Sequence, residues 1–279
     1  MNYAPIEVKP SDALFRDFRV RARFTLALPG LRLRVIIATL VFLSMWVGGF
    51  YMVENVWYAL DWGGLYETSE SLYTLTDAIF YMTDALFCVF AGLPLVYGYA
   101  RYMVRCATGV VPPLSTLFDA FSSRASYFRA LALTLRLFLR LALWLGVVGL
   151  LVLAAEALRG ITGDWLVFVL APLAGIYAVF GWIGIGIGDA VFSLELMHPE
   201  LSVRELLRLS RRMLQPQLLR IWLLKITLLP QWLLGALSLG TLLIFHALPF
   251  CLFTEQYAVW DIIEQKPTAS GLLADNKQE

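Results

Sequence analysis

The chain has 279 residues, of which 59% are hydrophobic and 15% charged, with a net charge of +1. Soluble domains are roughly 25% charged and about 45–50% apolar, so this composition excludes an ordinary soluble domain. Several apolar runs reach the roughly 20 residues that cross a bilayer, which points to an all-α polytopic membrane protein.

In chain order, residues 1–34 form a basic leader. Leu14, Phe15, Phe18, Phe24 and Leu26 interleave with Arg16, Arg19, Arg21 and Arg23, the pattern of a helix lying on an anionic membrane face. Pro29-Gly30 breaks it before a first span at 35–53, which reads as a retained anchor. Residues 54–74 hold Glu54, Asp61, Glu67 and Glu70 among Trp57, Tyr58, Trp62, Tyr66 and Tyr73, with no Lys or Arg. Such aromatic residues favour the bilayer interface.

Span two runs over 75–104, and Gly92-Leu93-Pro94 should kink it. After Val111-Pro112-Pro113, Ser115 reads as the N-cap of a short amphipathic helix with Leu117, Phe118 and Phe121. Span three covers 131–153 and span four 166–197. Gly184 and Gly188 of span four sit four apart on a small-residue face suited to close helix packing.

Residues 198–219 interrupt the apolar runs. Ser202-x-x-Glu205 is a capping-box pattern. Val203, Leu206, Leu207, Ser210 and Leu214 share one side at helical spacing, and Arg204, Arg208, Arg211 and Arg212 share the other. The apolar run that follows is too long for one helix. A split near Leu239-Gly240 gives span five (218–238) and span six (241–260), with a polar tail from Asp261. The divisions are therefore a leader (1–34), a six-helix membrane domain (35–262) and a tail (263–279).

Six spans put both termini on one side. On that topology 21 of the 22 Lys and Arg residues, all but Arg159, share the side of the termini. The positive-inside rule makes that side cytoplasmic. A parallel internal repeat would pair spans two and three with spans four and five, matching Gly98 to Gly188, Ser115 to Ser202 and Arg124 to Arg212.

Gly92-Leu93-Pro94-Leu95, Gly98-Tyr99-Ala100-Arg101 and Leu117-Phe118 carry a family resemblance. So do His198-Pro199-Glu200-Leu201-Ser202 with Leu206, Ser210, Arg211, Met213 and Leu214, and the closing Leu248-Pro249-Phe250 and Glu255-Gln256-Tyr257. Over residues 24–263 the chain resembles the bacterial integral-membrane family catalogued as domain of unknown function 975. It departs from that family at Leu214-Gln215-Pro216, where a glycine is usual, and at 227–232. The resemblance implies a multi-pass protein of the bacterial plasma membrane. It implies no catalytic residues and no agreed activity.

Two constellations stand out. Arg136, Arg140, Asp189, Glu195, Lys225 and Glu255 place three cations and three anions in the inner halves of the spans. An ionisable group there costs roughly 2.5–3.5 kcal/mol on insertion scales, and such groups line a wet cavity or pair with one another. One reading is an inward-facing site for an ionic ligand. The other is snorkelling cations with structurally paired acids. The second constellation is Arg204, Arg208, Arg211 and Arg212, whose juxtamembrane position favours anionic lipid headgroups over nucleic acid. Asp77 and Asp84 share span two with Tyr81, open to a proton or cation site or to a hydrogen bond from a neighbour.

His198 and His246 have no partner at ligand spacing, and Cys88, Cys106 and Cys251 fit no metal or disulfide pattern. No metal, cofactor or nucleophile motif is present. The expected function is a non-enzymatic accessory or scaffold protein that binds lipid or protein partners. A small transporter and a lipid-active intramembrane enzyme are the alternatives.

Overall fold

The structure is a computed structural model, and it describes residues 15–60, 70–162, 168–170, 172–175, 177, 190–238 and 241–265. Among the described residues the chain is all helical, with no strand. The helices are α1 (Arg16–Ala27), α2 (Leu31–Leu60), α3 (Glu70–Phe87), α4 (Leu93–Ala107), α5 (Arg124–Thr162), α6 (Val203–Leu214), α7 (Leu218–Leu237) and α8 (Leu248–Gln265). Four stretches are long and apolar enough to cross a membrane: Leu31–Val56, Ala78–Ala107, Arg124–Ala157 and Val203–Leu237. In the most apolar window of Arg124–Ala157, 0% of the residues are buried within the protein. An apolar helix stretch with none of its residues buried suits lipid, because exposed apolar patches of that size are rare on soluble proteins.

The chain forms two compact units, and the boundary between them falls inside α5. The first holds Ala27–Leu135; the second holds α1 up to Leu26 and the chain from Arg136 onward.

In the first unit, α2 packs on α3 and α4. Leu31, Val35 and Ala38 are fully buried. Thr39 Oγ1 meets the Tyr99 hydroxyl at 2.9 Å, and Phe42 stacks on the Tyr99 ring at 4.6 Å. The expected kink at Gly92-Leu93-Pro94 takes the form of a π-turn over Cys88–Gly92, closed by the Leu93 N–H donating to the Cys88 carbonyl. Pro94 has no N–H for the carbonyl four residues back, that of Phe90. The Tyr127 hydroxyl donates to it instead, at 2.8 Å.

After α4 comes a short 3₁₀ helix, Leu114–Phe121, packed along α4. The reading of Ser115 as its cap is corrected. The cap position belongs to Pro113, whose extended backbone leads straight into the helix with no side-chain cap. Thr116 N–H donates to the Pro113 carbonyl at 3.0 Å, so the first turn closes without a serine oxygen. Gly98 allows the backbone of this 3₁₀ helix to approach, because a Cβ there would collide with the carbonyl of Leu117.

In the second unit, α7 packs on α8, and α6 contacts α8. The capping box at the start of α6 is present in full. Glu205 N–H donates to Ser202 Oγ at 3.4 Å, and Ser202 N–H donates to Glu205 Oε2 at 2.8 Å. These bonds satisfy two of the donors that every helix start leaves open. At its far end the departure Leu214-Gln215-Pro216 is realised as a 3₁₀ turn, Gln215–Gln217, that passes directly into α7. α7 ends at Leu237, and helix resumes at Thr241, near the expected split; Leu239 and Gly240 lie outside the described residues.

Several boundaries move. α2 runs to Leu60, past the expected end at 53. α8 runs through Asp261 to Gln265, with Ile262 buried, so what was read as the start of a polar tail is helix. A second π-turn, Leu243–Ala247, precedes Leu248-Pro249. Gly184, Gly188 and most of span four lie outside the described residues, as do residues 266–279.

Candidate functional site

The second unit carries the chemistry. Lys225 projects from α7 and Glu255 from α8. Their Nζ and Oε2 atoms are 3.3 Å apart, with both side chains under 10% exposed. Both helices are loosened beside this pair, α7 by Pro230 and α8 by Pro249 with its π-turn. Next to Glu255, Gln256 Oε1 accepts from Ser193 Oγ at 2.9 Å, both groups buried. One turn away, Cys251 Sγ donates to Gln231 Oε1 at 3.5 Å. A polar seam therefore runs between α7, α8 and the helical stretch 190–197. A buried ion pair persists only when the geometry is good and neighbouring polar groups are satisfied, since desolvating each charge costs several kcal/mol.

Of the six charges expected to cluster, the structure joins Lys225 and Glu255. Glu195 is buried on the stretch 190–197. Arg140 is half-buried and Arg136 exposed on α5, and neither takes part in that pair. Asp189 lies outside the described residues. In the first unit, Asp84 Oδ1 is shielded from solvent and makes no hydrogen bond among the described residues.

The second constellation is α6. Leu206, Leu209, Ser210, Met213 and Leu214 are buried, Leu207 is half-buried, and Arg204, Arg208, Arg211 and Arg212 are all exposed. The helix presents one greasy side inward and a row of guanidinium groups outward. Arg211 and Arg212 lie in its last turn, where positive charge is favoured by the helix dipole.

Sequence reasoning missed how α1 seats. It packs in the second unit, with Phe18 and Ala22 buried. Arg19 donates to the Thr227 carbonyl of α7 at 2.9 Å. That carbonyl lies three residues before Pro230; the one that loses its N–H partner to the proline, four residues back, is that of Ile226. Thr25 and Tyr257 share a short hydroxyl–hydroxyl bond. Arg23 lies over the Phe250 ring, at 5.8 Å. Arg220 lies over Phe18, at 5.5 Å, and pairs with Asp261 at 3.1 Å.

His198 pairs with Glu200 at 3.2 Å in an exposed turn, and His246 stacks on Phe250. No group of three His, Cys, Asp or Glu residues able to hold a metal occurs among the described residues. No family model, curated protein or solved structure matches the chain. The family resemblance therefore rests on the residues quoted for it.

Proposed function

We propose that this chain is a non-enzymatic accessory or scaffold protein of the bacterial inner membrane, of the kind catalogued as domain of unknown function 975. It has six spans, with both termini and α6 on the cytoplasmic side. In this reading α6 lies at headgroup level and binds anionic lipid or an acidic partner through Arg204, Arg208, Arg211 and Arg212. The observation that carries it is the division of α6 into a buried leucine side and an exposed arginine side, at the start of the apolar stretch Val203–Leu237, which is long enough to enter the bilayer. The uneven distribution of Lys and Arg supports the orientation. The parallel internal repeat belongs to the same proposal.

Reporter fusions test the topology. A C-terminal fusion should be active only for a cytoplasmic reporter, and an extracellular C-terminus sinks the six-span arrangement. Cross-linking in native membranes tests the scaffold role, which fails if no lipid or protein partner is captured reproducibly. A lipid-turnover assay on purified protein should stay at background.

A second reading is a small transporter, favoured by the buried Lys225–Glu255 pair between two proline-loosened helices. Discontinuous helices frame ion and substrate sites in many transporters. Neutralising both residues together should then abolish a transport or ligand response while the fold survives. An unchanged response makes the pair structural.

A further inference from the structure

α1 is fastened to two helices at once. Arg19 donates to the Thr227 carbonyl at 2.9 Å, and Arg220 lies over the Phe18 ring at 5.5 Å; both contacts tie α1 to α7. Thr25 shares its hydroxyl bond with Tyr257, and Arg23 lies over the Phe250 ring at 5.8 Å; both tie it to α8. Phe18 and Ala22, four residues apart, are buried on the same side of α1. The two helices bridged in this way are the interrupted ones, α7 by Pro230 and α8 by the π-turn Leu243–Ala247 ahead of Pro249. A proline removes one bond of the helical ladder, so a third helix laid across both adds to what holds them together.

With that side fixed, the outward side is fixed as well. Arg16, Val20, Arg23, Phe24 and Ala27 are exposed, and every other residue of α1 is half-buried or buried. At about 100° per residue these five fall within an arc of about 100°. Three are apolar and two are arginines, and Asp17, the one acid of α1, stands outside the arc. The chain itself keeps this face near a bilayer. α1 ends at Ala27, and a stretch long and apolar enough to cross a membrane begins at Leu31. Four residues reach at most about 14 Å, and here the turn is closed, the Leu31 N–H donating to the Leu28 carbonyl at 3.2 Å. An apolar arc bordered by arginines suits the headgroups and upper acyl chains of an anionic bilayer. An acidic protein would use the arginines and leave Val20, Phe24 and Ala27 without a partner.

We propose that α1 is a strap seated by the membrane: its outward face docks on an anionic bilayer surface, and that docking holds its inward face on α7 and α8. The charge of the bilayer surface thereby sets how firmly the two interrupted helices, and the Lys225–Glu255 pair they share, are held together. This rests on the membrane placement of the chain and is independent of α6.

The test is amide exchange of the full chain in vesicles of phosphatidylcholine with and without phosphatidylglycerol. In the wild type, α1 should exchange about tenfold more slowly when phosphatidylglycerol is present, the effect of seating one phenylalanine, and residues 257–265 of α8 should slow with it. R16Q/F24N changes only the outward face and should abolish the difference between the two lipids. R19Q/T25A breaks the seat and should speed exchange about tenfold, the loss of one charge-assisted bond, in α1 and in residues 257–265, with α4 of the first unit unchanged. Should R19Q/T25A not fold, Y257F, which removes the shared hydroxyl bond from the α8 side, serves in its place. Equal exchange of α1 in the two lipids overturns the docking. A lipid effect that survives in R16Q/F24N overturns the assigned face. Faster exchange of α1 without any change in residues 257–265, or with α4 speeding equally, overturns the strap. None of these readouts involves α6, so the failure of its lipid reading is told apart from the failure of this one.

Discussion

The buried pair Lys225–Glu255 allows a quantitative test. At 3.3 Å and an effective dielectric of about 20, two unit charges attract by about 5 kcal/mol. Desolvation of both groups offsets most of that gain, so the pair adds little net stability. Removing one partner is different, because it leaves the other charge buried and alone. K225M or E255M alone should each cost about 3–5 kcal/mol, whereas K225M/E255M should lie within about 1 kcal/mol of the wild type. The double-mutant cycle would then show a coupling of at least about 5 kcal/mol. Reversible unfolding in mixed micelles, titrated with a denaturing detergent, measures all four proteins. Additive losses in the double variant would show that the two residues do not depend on each other, and the reasoning from distance and burial would be wrong.

Three further outcomes follow from single contacts. S202A removes the cap oxygen of α6 and should cost about 1 kcal/mol, with faster amide exchange confined to the first turn of α6; unchanged exchange there contradicts the capping assignment. G98A places a Cβ against the Leu117 carbonyl and should cost roughly 1–3 kcal/mol, as overpacking does; a neutral result means the 3₁₀ helix does not sit against α4. Y127F leaves the Phe90 carbonyl beside Pro94 without its hydroxyl donor and should cost about 1–3 kcal/mol. A P94A/Y127F double variant should recover much of that loss by restoring the backbone N–H, and absence of recovery refutes the link between the proline and the tyrosine.

The sequence makes local features legible and pairings illegible, for physical reasons. α6 was readable because a capping box and a 3.6-residue period are local. The expectation that Leu206, Leu207 and Leu214 turn inward and that Arg204, Arg208 and Arg211 turn outward agrees with the structure. Leu209 and Met213 are buried as well, which widens the inward side beyond the expected stripe. The partner of Lys225 was not readable. Six charges at similar depth allow many pairings, and the register of α7 against α8 selects one. Ser115 stands close behind a loop-ending pair of prolines, where a cap is expected, but the extended Pro113 starts the helix two residues ahead of it.

α1 illustrates a different limit. A basic amphipathic helix satisfies the same pattern whether its apolar side meets lipid or protein. Here Phe18 and Ala22 are buried against the second unit, while Phe24 remains 59% exposed. The two π-turns were hidden for another reason. Each lies immediately before a Leu-Pro, at Leu93-Pro94 and Leu248-Pro249. The sequence shows the prolines, and only the backbone shows how the helix absorbs them. This shared element links α4 with α8, whereas the repeat read from short apolar words paired spans two and three with spans four and five.

The central claim, that α6 binds anionic headgroups through its arginine side, is tested most directly by lipid partitioning. The full-length protein is reconstituted into mixed vesicles of phosphatidylglycerol and phosphatidylcholine, and the lipid immobilised at its surface is measured with headgroup-matched spin labels. The wild type should enrich phosphatidylglycerol in that shell, and R204Q/R208Q/R211Q/R212Q should lose the enrichment while keeping its helical content. Equal shells for the two lipids in the wild type, or an enrichment that survives the loss of all four arginines, would contradict the claim.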